Sequence, residues 1–128
     1  MGGTMPATGV ALFGVEDRGD TIIVTPVADL GETDERHIAA WAADTLELLQ
    51  GVGAGNVVVN CQETDSLGFA ALQFFVQLGK LSRSRGGRMA FCNVSDRARN
   101  MLRMTHLDRL WSVYATSDEA VEGVERGL

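Results

Sequence analysis

A chain of 128 residues, 45% of them hydrophobic, is long enough for one core and too short for two ordinary domains, so a single compact domain over 1–128 is expected. The net charge of -6 argues against a general nucleic-acid binder, which needs a surplus of Lys and Arg against phosphate. No run approaches the ~20 apolar residues of a membrane span. The opening MGGTMPATG has neither the basic start nor the apolar core of a signal peptide. The expectation is a cytoplasmic protein without membrane insertion.

Residues 1–8 are rich in Gly, Thr and Pro and are expected to be flexible. The Met-Gly start does not continue as a myristoylation signal, because Pro6 stands where Ser or Thr is needed. Val10 to Phe13 reads as a first strand, and Asp17-Arg18-Gly19-Asp20 as the turn of a hairpin. Thr21 to Val27 is the second strand. Pro26 cannot donate to a ladder and belongs near its end or on an edge. After a loop over 28–33, Thr33 or Asp34 can cap a helix with Glu35 in its first turn. In that helix Ile38, Trp41, Ala42, Thr45, Leu48 and Leu49 recur at three- and four-residue spacing and form an apolar face. Gly51, Gly53 and Gly55 end it.

Asn56 to Asn93 organises the rest of the chain. Val57-Val58-Val59 is a continuous β-branched run, suited to a strand covered on both faces. The polar stretch Gln62 to Ser66 leads to a long apolar segment, Leu67 to Leu81, which stops at Arg85-Gly86-Gly87; Met89 to Cys92 is the next strand. Strand, helix and strand of these lengths fit a parallel crossover, whose sites usually gather where strand meets helix. The helix is apolar around most of its circumference, with Phe69, Leu72 and Val76 on one side and Phe74, Phe75, Leu78 and Leu81 on another. Such a helix is wedged between neighbours or offers a patch to a partner, and the wedged reading is preferred. The cations from Lys80 to Arg88 read as a solvated face at the carbonyl end of the helix.

Asn93-Val94-Ser95-Asp96 closes that strand and caps a helix whose inner stripe is Ala98, Met101, Leu102 and Thr105, with Arg97, Arg99 and Arg103 outside and a kink near His106. Val113 to Ala115 is a last strand. Thr116 with Glu119 has capping-box spacing for a last helix with Ala120, Val121 and Val124 inward. Five strands alternating with four helices indicate an α/β domain with a mainly parallel, mixed sheet.

Nothing in the chain has the form of a catalytic motif. Gly51-Val52-Gly53-Ala54-Gly55 precedes a strand, whereas a dinucleotide fingerprint follows one. His37 and His106 have no companions at zinc spacing, and no cofactor or metal is expected. Cys61 and Cys92 read as buried free thiols. A triad of Ser66, a histidine and an acid has no support in spacing. Ser66 itself is expected to cap the central helix, with phosphate acceptance as the alternative.

Arg85 to Trp111, RGGRMAFCNVSDRARNMLRMTHLDRLW, resembles the most specific pattern of the STAS family, the anti-sigma factor antagonist domains of bacteria: a Gly-Gly turn, an apolar strand, Asn-Val-Ser, and a helix ending Leu-x-x-Thr-Gly-Leu-x-x-Leu-Phe. Leu102, Thr105, Leu107, Leu110 and Trp111 fill those places, with His106 where the family has Gly. The likeness extends from about Val10 to Val124. It implies a non-catalytic signalling module that docks a protein partner, in switching members a kinase that is itself an anti-sigma factor and that phosphorylates a Ser in Asp-Ser-Ser/Thr-Gly-Leu at the helix start.

Asp65-Ser66 looks like that pair, but is followed by Leu-Gly-Phe and would need an insertion in the helix to reach Gly86-Gly87. Counted without gaps, Gly68 takes the Asp place and Phe69 the phosphoacceptor place, with Ala70, Ala71 and Leu72 after it. The ungapped register is preferred, because an insertion would rotate the apolar face of the helix. The resemblance therefore implies docking through Ser66, Gly68, Phe69, Ala70 and Gln73 without the standard serine switch. Other readings are an accessory subunit of a transport or lipid-transfer complex, and an enzyme, which would need a pocket joining Ser66 or Cys61 to a histidine. Self-association as a homodimer is left open.

Overall fold

The protein is described here from a computed structural model, which covers residues 13–127. The expected flexible stretch 1–8 and the expected strand start at Val10 lie outside these residues. Strand β1 (Phe13–Asp17) runs antiparallel to β2 (Thr21–Pro26), and β3 (Asn56–Asn60), β4 (Met89–Cys92) and β5 (Ser112–Tyr114) follow in parallel, giving the sheet order β1-β2-β3-β4-β5. The first strand continues through Asp17, later than the sequence suggested. Gly19 takes a positive φ of 82° in the turn, and the Asp17 side chain accepts its N–H. Pro26 is the last residue of β2, opposite Phe13 of β1, in keeping with its expected place at the strand end.

Helices α1 (Glu35–Gln50), α2 (Phe69–Ser84), α3 (Asp96–Met104) and α4 (Ser117–Arg126) connect or follow the strands. Alternation along the strands divides the core between the two faces of the sheet. Ile22, Val24, Val57, Val59, Met89 and Phe91 point to the α1, α2 and α3 side, where Phe13, Ile38, Leu49, Phe74, Phe75, Leu78 and Leu102 complete the larger core. Ile23, Val58, Ala90 and Cys92 point the other way and are covered by Ala120 and Val124 of α4. The Val57–Val59 run is thus buried on both faces, as its lack of alternation required.

Helix caps follow the sequence closely. Asp34 accepts from the Arg36 N–H, Ser95 from Ala98 and Thr116 from Glu119. Leu48, counted with the apolar face of α1, is instead 45% exposed; Thr45 and Leu49 are buried on either side of it. His106 marks a true break: α3 ends at Met104, His106 turns left-handed at φ 63°, and a short 3-10 turn spans Leu107–Arg109.

Where α2 ends, two glycines do different jobs. Gly86 adopts φ 75°, and Gly87 passes so close to the loop before β3 that a Cβ there would lie 2.0 Å from the Gly55 carbonyl oxygen. The same crossing is sewn by Ser82, whose hydroxyl donates to Gly55 at 2.7 Å, and by Arg85, which donates to the carbonyls of Val52 and Ala54 at 2.7 and 3.0 Å. Arg85 is therefore half-buried structural bonding and does not belong to the solvated basic face.

Candidate functional site

Strands β2, β3 and β4 end along one edge of the sheet, and their loops meet in front of the first turn of α2. The central piece is residues 61–68. Ser66 does not cap α2. The helix N-cap is Gly68, which offers no side-chain acceptor, and the Ser66 hydroxyl instead donates to Asp29 Oδ1 at 3.0 Å. The same oxygen accepts the Ser66 N–H at 3.0 Å and the Gly31 N–H at 3.3 Å. The Thr64 hydroxyl lies 3.2 Å from Asp29 and 2.9 Å from the Ser66 carbonyl, and it accepts the Leu30 N–H at 2.8 Å.

Burial by itself would raise the Asp29 carboxyl. The backbone and hydroxyl donors of Ser66, then Gly31 and Thr64, outweigh it and hold the group below its ordinary value. Gly31 fits tightly against this cluster: a Cβ on it would lie 1.9 Å from Ser66 Oγ.

The other side of the loop is fastened to the start of α3. Ser95 donates to the Asp65 carbonyl at 2.6 Å while accepting the Ala98 N–H, and Arg97 pairs with the Asp65 carboxylate at 3.0 Å. Below, the Asn60 side-chain oxygen accepts from the Gln62 N–H at 3.2 Å and from Asn93 at 3.0 Å. Asn93 holds φ 55°, a conformation asparagine tolerates. A loop clamped on three sides delivers the chain into α2 with little freedom.

What it delivers is Phe69, the first residue of α2, with its side chain 78% exposed. Ala70 is half-buried and Gln73 exposed beside it. All three line a groove of about 660 Å³ between α1 and α2, together with Ala39, Ala43 and Leu46 on one wall and Thr105 and Leu107 at the end. Ser66 and Gly68 do not line this groove, so the five residues expected to dock are divided: Phe69, Ala70 and Gln73 border it, while Ser66 is bonded within the loop and Gly68 is the N-cap of α2. The cysteines sit deeper. Burial, with the neighbouring Cys92 second, pushes Cys61 up to about 12, and burial pushes Cys92 up to about 11, so both are thiols at neutral pH. A shallow hollow touches Cys61 and is lined by Gln62 to Asp65 and Asn93 to Ser95; neither His37 nor His106 borders it.

Two parts of this site escaped sequence reasoning. Asp29 lay in a stretch read only as loop, although Asp followed two residues later by Gly is a common side-chain-bonded turn. The groove follows from the alanines of α1, at 39, 42 and 43, whose small side chains leave room beside α2.

Comparison with known proteins agrees with the architecture. The sequence model of the STAS domain matches residues 15–120. A candidate anti-sigma factor antagonist of Thermotoga maritima is 27% identical over 107 residues, covering 84% of this chain and 92% of that protein. Among solved structures, an anti-sigma factor antagonist domain protein from Planctomyces limnophilus superposes with a TM-score of 0.76 at 22% identity, over 88% of this chain and 97% of the other. The anti-sigma factor antagonist SpoIIAA in its unphosphorylated form gives 0.74 at 16% identity, over 91% and 97%; these two establish likeness of fold.

Proposed function

The chain belongs to the STAS domain family, and from that premise we propose that it is a non-catalytic binding module of the anti-sigma factor antagonist kind, which docks a kinase-type anti-sigma factor or related protein through Phe69, Ala70 and Gln73 and works without a serine switch. The observation that carries this reading is the exposure of Phe69, 78%, at the first position of α2. A large apolar side chain held out at the end of a clamped loop has the form of an anchor for a partner pocket. The groove behind it extends the apolar surface along α2.

Chemistry at the two neighbouring positions supports the missing switch. Phe69, which takes the acceptor place in the ungapped register, has no hydroxyl. Ser66 has one, but it is half-buried and committed to a carboxylate 3.0 Å away. A dianionic phosphate there would face Asp29 directly, which costs repulsion and breaks the clasp. Such a module is permanently competent to bind, as an antagonist that resists phosphorylation or as a scaffold subunit.

Calorimetric titration with a cognate kinase-type anti-sigma factor tests the docking face. Phe69→Ala is expected to weaken binding by about tenfold or more, ~1.4 kcal/mol, while leaving thermal stability within about 0.5 kcal/mol because the ring is exposed. Undiminished affinity in that variant refutes the assignment. Binding to a membrane permease and not to any such kinase would favour the transport-accessory reading instead.

A further inference from the structure

The cations of this acidic chain are not spread over it. Of eleven Lys and Arg residues, eight lie between Lys80 and Arg109, a stretch holding only two of the seventeen acids. Pairing sharpens the contrast. Arg18, Arg36 and Arg126, the three outside, each meet a carboxylate within 4 Å. Among the described residues only Arg97 does so inside the stretch. Arg85 is spent on backbone carbonyls. Lys80, Arg83, Arg88, Arg99, Arg103 and Arg109 are exposed and have no carboxylate partner among the described residues.

Lys80, Arg83 and Arg88 lie beside the turn after α3, and Arg99, Arg103 and Arg109 sit on α3 and in that turn. Trp111 packs on Gly79 of α2, where a Cβ would lie 3.0 Å from the indole nitrogen, so the chain after α3 lies against the second half of α2. Arg83 and Arg88 share a hollow with Leu110 and Trp111, and Lys80 reaches the groove end lined by Thr105 and Leu107. Two large apolar side chains stand out among the cations, Met104 at 76% exposure and Leu110 at 59%.

We propose that this side, formed by α3, the turn after it and the second half of α2, is a second docking face, and that its occupant is an acidic protein segment carrying apolar side chains. Cations without a carboxylate partner beside exposed apolar side chains complement that chemistry: carboxylates for the rim, Leu or Phe for Met104 and Leu110. A polyanionic duplex or an anionic bilayer fits less well, because each extends over a larger surface of a chain whose other fifteen acids lie outside this stretch. Lys80 borders the groove that Phe69 also lines, but the charge distribution and the exposure of Met104 and Leu110 owe nothing to Phe69 or to the proposed serine-free docking.

The test is an amide NMR titration of the intact protein with a synthetic amphipathic peptide bearing Glu and Leu at helical spacing, against a counterpart in which Gln replaces every Glu. The acidic peptide is expected to shift the amides of Arg99, Arg103, Met104 and Leu110, and to lose about tenfold or more in affinity when salt is raised. Combined Arg99→Gln, Arg103→Gln and Arg109→Gln is expected to lower affinity by about tenfold while the spectrum elsewhere stays folded. Phe69→Ala should leave it unchanged, which separates failure of this face from failure of the first. Equal binding of the Gln peptide, shifts confined to α1 or α4, or no shift at all overturns the proposal. So does tighter binding at the same residues by duplex DNA, or by mixed phosphatidylserine and phosphatidylcholine vesicles. Concentration-dependent shifts there in the free protein would identify a second copy as the occupant and overturn it too.

Discussion

Asp29 and Ser66, 37 positions apart in the chain, form the bond on which the loop before α2 depends. Asp29→Asn keeps the shape and removes the charge, and is expected to cost about 1.5–3 kcal/mol at pH 7, the range for bonds to an ionised acceptor. Because the folded carboxyl sits below its ordinary value of 3.8, its contribution is complete well above that value and fades as pH falls through the folded one. Urea unfolding at neutral pH and near pH 3 checks this, and the gap between wild type and variant should narrow in acid. A gap independent of pH would mean that the charge is not what holds Ser66. His106 supplies a second residue-scale prediction. It occupies the place where the family pattern has Gly, and it holds φ 63°, so His106→Gly should raise stability by about 0.5–1.5 kcal/mol in thermal unfolding. The Asp-Ser pair was conspicuous in the sequence, but its role was not legible there: spacing can place a hydroxyl just before a helix, and only the fold can bring a carboxylate from another loop to claim it.

At the level of elements, patterns with a local cause were readable and contacts between elements were not. The caps at Asp34, Ser95 and Thr116, the two-faced Val57–Val59 strand and the stop at Gly86-Gly87 each follow from their own neighbourhood. Helix α2 shows the limit. Its apolar circumference correctly implied burial on most sides, with Ala71, Leu72, Phe74, Phe75 and Leu78 inside, whereas Phe69 was set apart only by the ungapped family register and not by the apolar pattern. The start of the apolar segment misled as well, since Leu67 is buried in the loop and the helix begins two residues later. Where α2 turns into β4, Gly87→Ala forces a Cβ against the Gly55 carbonyl, backbone that cannot swing aside as a side chain would. Overpacking of this kind is expected to cost about 1–3 kcal/mol, measured by denaturant unfolding. Gly53→Ala, with open space at its Cβ, should cost much less.

Across the whole molecule, the sheet separates a smaller core under α4 from a larger one under α1, α2 and α3. α4 closes the smaller core, while the edge formed by the ends of β2, β3 and β4 carries the clamped loop, the exposed Phe69 and the groove along α2. Fold and family were legible because element order and the Gly-Gly to Trp111 pattern are sequential features. Rigidity was not, because it comes from bonds between loops. A module whose loop is already fixed and whose hydroxyl is already committed should bind its partner in the same way whether or not the partner can transfer phosphate. The most direct measurement is the affinity for a cognate kinase-type anti-sigma factor before and after incubation with that kinase and Mg-ATP, with intact-mass spectrometry of the chain. Unmodified protein and unchanged affinity are expected; stoichiometric phosphate on Ser66 accompanied by loss of binding would show a working serine switch instead.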